Sequence, residues 1–112
     1  MMALGELEQV VLFALARLGG EAHGAPIALE LEERLDRVVA PGALYTVLDR
    51  LELKGFVDSW IGDSSPERGG RRRKVYRLFP AGARAVRDWY AALRDMAELA
   101  LPNLEAIARS TR

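Results

Sequence analysis

The sequence has no cysteine and a single histidine, His23, in 112 residues. Without thiols there is neither a disulfide framework nor a thiolate metal site. One imidazole with no second ring to join makes a poor metal centre or catalytic base, and beside the Gly24 turn His23 reads as structural. No constellation of nucleophile, base and orienting acid is present, so an enzyme is not expected, nor a cofactor or a metal. Long apolar runs are also missing. None reaches the roughly 18 residues that a membrane span needs, so no membrane partner is expected. The opening MMALGELEQVVLFALARL carries Glu6 and Glu8 and has no basic leader, so it reads as a helix rather than a signal peptide, and a cytoplasmic location is expected. Net charge is absent too, with 16 bases against 16 acids.

That zero is an average over an uneven chain. Residues 1–36 hold seven acids (Glu6, Glu8, Glu21, Glu30, Glu32, Glu33, Asp36) against Arg17 and Arg34. Residues 63–77 hold six bases (Arg68, Arg71, Arg72, Arg73, Lys74, Arg77) against Asp63 and Glu67. Salt screens charges beyond roughly 8–10 Å, so a polyanion responds to the local field and not to the total. Half of the residues are apolar and 29% are charged, the balance of an ordinary globular chain at the size of one core.

The apolar pattern divides the chain. Leu4, Leu7, Val11, Ala14, Leu15 and Leu18 recur at helical spacing, and Val10, Leu12 and Phe13 fill the other faces. A helix apolar nearly all round needs cover on more than one side, which a second subunit can supply. Gly19-Gly20 ends it. A second helix starts near Gly24-Ala25-Pro26, with Ile27, Ala28, Leu31 and Leu35 as its inner stripe. Pro41 opens a third through about Lys54, whose Leu44, Val47, Leu48 and Leu51 form one clean face, and Gly55 closes it. Then the period changes. FVDSWI (56–61) and KVYRLF (74–79) are β-branched and aromatic, as strands prefer, and the Gly/Ser/Pro-rich loop between them ends in a basic run. From Pro80 to about Leu101 the spacing predicts a long helix, with Val86, Trp89, Tyr90, Leu93, Met96, Ala97 and Ala100 as a seam. Pro102 should kink or end it.

Three helices, a hairpin and a further helix are the element order of a winged helix-turn-helix: mainly α with a β-hairpin wing. The expected division is a DNA-binding unit over 1–79 and a C-terminal dimerisation helix over 80–112. In such a unit the third helix buries one face and offers the other to the major groove of double-stranded DNA. Its outward positions would include Gly42, Tyr45, Thr46, Asp49 and Arg50. Tyr45 and Thr46 are suited to hydrogen bonds with phosphates or base edges, and Arg50 to a phosphate, although Arg50 has Asp49 and Glu52 as competing surface partners. The hairpin would bring Arg71, Arg72, Arg73 and Lys74 beside the neighbouring backbone. A basic tip directly after a recognition helix is a more specific signal than the helix order.

LGELEQVVLFALARLGGEAHG, PGALYTVLDRLELKGFV and ERGGRRRKVYRLFPAGARAV resemble PadR-family transcriptional regulators over roughly residues 3–90. The most specific parts are G-A-L-Y-x-x-L-x-R-L-x-x-x-G, from Gly42 to Gly55, and the G-G-R-R-x-K-x-Y-R-L wing. The resemblance implies a homodimeric repressor joined through its C-terminal helix. It puts DNA contacts on Pro41, Gly42, Tyr45, Thr46 and Arg50 and on the wing from Gly70 through Arg71, Arg72 and Arg73 to Lys74. Phe79 stands where the family usually has a threonine cap, which removes a side-chain cap typically worth about 1 kcal/mol. Pro41 stands where a serine-like cap is common.

The dimer seam expected from the spacing is Leu4, Leu7, Val11, Val86, Trp89, Tyr90, Leu93, Met96, Ala97 and Ala100. Trp89 has two readings, interface packing or a wall for a small aromatic or hydrophobic effector stacked between two copies. Trp60, on the wing strand, reads as core cover. An alternative for the whole chain is a winged helix that has lost DNA and pairs with another polypeptide, to which the acidic first third and zero net charge are suited.

Overall fold

A computed structural model describes residues 4–62 and 73–110. The order is α1 (Glu6–Arg17), β1 (Glu21–His23), α2 (Gly24–Leu35), α3 (Pro41–Leu53), β2 (Val57–Ile61), β3 (Lys74–Leu78) and α4 (Pro80–Ala108). The fold is mainly helical, with a small antiparallel sheet in the order β1-β3-β2.

Local chemistry sets the ends. The Glu8 side chain accepts the Gly5 N–H at 2.8 Å, capping α1. At its far end Gly19 and Gly20 take φ of 91° and 92°, a left-handed path that glycine enters without strain. The chain turns there, and Gly20 O accepts the Leu78 N–H at 2.7 Å, which registers the turn on β3. Pro41 occupies the first turn of α3, where its missing N–H is not needed.

Val11, Leu12 and Leu15 of α1 meet Ile27 and Leu31 of α2 in the core. The α3 stripe Leu44, Val47, Leu48 and Leu51 closes the cluster with Val57, Tyr76 and Val86. The start of α4 is pressed onto Phe56, the residue that leads into β2: a Cβ at Gly82 would come within 2.3 Å of the Phe56 carbonyl oxygen. Phe13 then meets Tyr90 edge to face at 5.8 Å. Beyond that contact α4 projects. The radius of gyration is 17.0 Å, against about 13 Å for a compact chain of this length. No helix among the described residues is long and apolar enough to cross a membrane.

Three expectations need correction, and one is narrowed. β1 is an additional strand: Ala22 pairs with Tyr76 and His23 with Val75, so the wing sheet has three strands instead of two. Leu35 is half exposed and lies outside the inner stripe, which ends at Leu31. At Pro102, where a kink or an end was expected, α4 does not end: it runs on to Ala108. Every side chain after Pro102 in that helix is exposed, so the ring meets water and not packed neighbours. Val11 and Val86, expected on a subunit seam, are buried in the chain's own core at 0% and 4% exposure.

Candidate nucleic-acid interface

The buried stripe of α3 leaves Pro41, Gly42, Tyr45, Thr46, Asp49, Arg50 and Leu53 exposed on the opposite side. Pro41 and Gly42 form the helix start, and around Gly42 there is open space where a Cβ would stand. Thr46 donates its hydroxyl to the Gly42 carbonyl oxygen at 2.9 Å, so the side chain is held along the helix with its oxygen lone pairs still able to accept. Tyr45 is 44% exposed and leans across the N-terminus of α2. A Cβ at Gly24 would lie 2.8 Å from the Tyr45 hydroxyl, so glycine permits that close approach.

Facing α3 across a cleft of about 550 Å³ is the start of β3, with Arg73, Lys74 and Tyr76 on one wall and Tyr45 and Asp49 on the other. Arg73 and Lys74 are exposed, and Lys74 Nζ stands 5.8 Å from the centre of the Tyr76 ring. Burial first, and then the negative field of Asp49, pushes the Tyr76 phenol up to about 12, so it stays neutral. His23 closes the cleft with its Nδ1 3.2 Å from the Lys74 carbonyl oxygen.

The expected contact residues Pro41, Gly42, Tyr45, Thr46, Arg50, Arg73 and Lys74 are therefore all exposed, and Tyr45, Arg73 and Lys74 share the cleft. Gly70, Arg71 and Arg72 lie outside the described residues. Arg50 makes no ion pair with Asp49 or Glu52 among the described residues; its positive field falls on Glu8. Arg77, counted with the wing bases, is engaged elsewhere. It pairs with Asp58 at 3.2 Å and lies over the rings of Trp60 and Phe79 at 5.3 and 5.7 Å. Trp60 is thus half exposed under a guanidinium on the outer face of the sheet. His23 and Asp49 reach the cleft although neither was expected as a contact. Asp49 was legible as an outward position on α3. His23 was not, because its place depends on β1 pairing with β3.

The second surface is α4. Trp89, Tyr90 and Leu93 are 44–48% exposed, and Met96, Leu104 and Ile107 are 55–71% exposed. They recur every three to four residues, with Ala97 and Ala100 half-buried beside them. Leu4 and Leu7 are partly buried against the core at the N-terminal end of α1. Phe13 joins this surface through Tyr90, a contact that the periodicity of α4 alone does not show.

Among the described residues no three His, Asp or Glu side chains come together to hold a metal ion. Residues 11–88 match the family model described as transcriptional regulator PadR-like family. The chain is 40% identical over 77 residues to the transcriptional regulator Rv3488 of Mycobacterium tuberculosis, covering 69% of this chain and 67% of that one. Among solved structures it is similar to a PadR family transcription regulator from Clostridium difficile, with a TM-score of 0.73 and 24% identity over 89% of this chain and 99% of that one. It is similar as well to F93 from STIV, a winged-helix DNA-binding protein, with a TM-score of 0.64 and 18% identity over 79% and 87% of the two chains.

Proposed function

The chain belongs to the PadR-like family of transcriptional regulators, and on that premise we propose that it is a sequence-specific DNA-binding repressor acting as a homodimer on a pseudo-palindromic operator. It is a regulator and not an enzyme. The observation that carries the DNA-binding reading is the cleft, which Tyr45 and Asp49 of α3 share with the exposed cations Arg73 and Lys74. A major groove admits a helix, and its flanking phosphates are within reach of a basic wing.

The homodimer is supported by α4. A 29-residue helix that carries Trp89, Leu93, Met96, Leu104 and Ile107 into water has apolar surface left uncovered by the described residues of its own chain. A second copy of the same helix offers a matching stripe, with Leu4, Leu7, Tyr90, Ala97 and Ala100 beside it. Two α3 helices held about one DNA turn apart, roughly 34 Å, would read two half-sites. Wing arginines would add salt-sensitive phosphate binding, and the bound dimer would exclude polymerase from the promoter in the cytoplasm. A small aromatic or hydrophobic effector would act between two copies of Trp89. To relieve repression it must bind better to one spacing of the heads than to the other.

A gel shift on random duplex at low salt tests the first step. Retardation is the expected result; its absence would favour a protein-interaction module that no longer binds DNA.

A further inference from the structure

We propose that Asp49 is a specificity-determining residue that selects a cytosine in each half-site by accepting a hydrogen bond from the base's 4-amino group. The inference rests on the DNA-binding reading above and names what one side chain of that surface reads.

Asp49 carries the wrong sign of charge for a surface that meets phosphate. Asp49 lies on the exposed side of α3, one turn beyond Tyr45 and Thr46, and lines the cleft opposite Arg73 and Lys74. A carboxylate here repels phosphate, so it opposes the non-specific binding that the two cations provide. The other acids close to α3 are tied down. Glu8 is held by Lys54 at 2.6 Å, Glu52 accepts the Ser59 hydroxyl at 2.7 Å, and Asp58 pairs with Arg77. Asp49 has no hydrogen bond or ion pair among the described residues, although two cations stand across the cleft. Its field is felt at Tyr76, which lines the same cleft.

A free carboxylate is only an acceptor, so it needs a donor from the ligand. The major groove offers two base donors, the amino groups of cytosine and adenine. The adenine amino lies between two acceptors, its own N7 and the thymine O4, and both repel a carboxylate. The cytosine amino has a C–H on one side. Its paired guanine presents O6 and N7, the acceptors that arginine and lysine prefer. A C·G pair therefore suits the acid and the cations on the two walls together.

The test is enrichment of duplexes from a random pool by the purified full-length protein and by its Asp49→Asn and Asp49→Ala variants. These are surface changes, and unchanged thermal melting verifies the fold. The wild type is expected to enrich a cytosine at one fixed position of each half-site. Asp49→Asn should move that position to adenine, since an amide both donates to N7 and accepts from N6. Asp49→Ala should lose the preference there while binding random duplex more tightly. Replacing the selected cytosine should weaken wild-type binding about tenfold or more, and Asp49→Ala binding hardly at all. Identical enriched sequences for all three proteins would overturn the proposal and leave the DNA-binding reading intact. A wild type that enriches no duplex would overturn both.

Discussion

Lys54 Nζ donates a 2.6 Å hydrogen bond to Oε2 of Glu8 and so ties the C-terminal end of α3 to the first turn of α1. The same carboxylate caps Gly5, and both partners are largely shielded from water, at 23% and 11% side-chain exposure. The helix that faces DNA in the proposed complex is thereby braced against the helix beside the proposed subunit seam. Burial alone would raise the Glu8 carboxyl. The hydrogen bonds from Lys54 and Gly5, with the fields of Lys54 and Arg50, outweigh it and hold the group below its ordinary 4.5.

Glu8→Gln should therefore destabilise the fold by about 1–3 kcal/mol at neutral pH. The unfolded chain, with the higher pKa, binds the proton first as pH falls. The stabilisation is thus full above the ordinary carboxylate value and is lost as pH drops through the lowered folded one. Denaturant titrations of wild type and variant should show two stability curves that converge in acid. A gap independent of pH would mean that the pair acts by packing alone.

Gly82→Ala and Gly42→Ala should have opposite effects on stability. At Gly82 the new methyl would meet the Phe56 carbonyl at 2.3 Å, and backbone cannot step aside cheaply, so a loss of about 1–3 kcal/mol is expected. At Gly42 the methyl meets nothing, and the helix gains about 0.4–1 kcal/mol. If the start of α3 approaches a DNA backbone, Gly42→Ala will melt higher and bind its selected duplex more weakly. Unchanged affinity would place that turn away from the duplex.

Leu93→Glu puts a charge in the middle of the exposed α4 stripe while leaving the buried core alone. Sedimentation should give the mass of a single chain, and binding to the selected duplex should fall by at least tenfold as the second half-site is lost. A dimer of normal mass would locate the subunit contact elsewhere.

These outcomes depend on features that the sequence revealed unequally. The α3 stripe was readable because Leu44, Val47, Leu48 and Leu51 recur within two turns, and local periodicity is sufficient there. The α4 stripe was readable for the same reason. β1 was not, since three residues have no period of their own and become a strand only by pairing with β3 more than fifty residues away. Val11 and Val86 show a related ambiguity. An apolar position on a helix looks the same in sequence whether its cover comes from its own chain or from another. Pro102 left a kink or an end open, because an internal proline removes one ladder hydrogen bond and the sequence does not say whether the helix resumes beyond it. The Glu8–Lys54 brace joins partners 46 residues apart, and neither residue type announces it. The charge on the wing was plain from composition; which bases stay free was not, because Arg77 is diverted to Asp58, Trp60 and Phe79.

Binding of a labelled duplex at a series of salt concentrations, by wild type and by Arg71/Arg72/Arg73→Ala, tests the DNA-binding account most directly. The wild type should give a steep linear fall of log K with log salt, and the variant should bind every duplex more weakly, with a slope shallower by about 0.9 for each phosphate contact removed. A variant whose slope and affinity match the wild type, or a wild type that binds no duplex even at low salt, would contradict it.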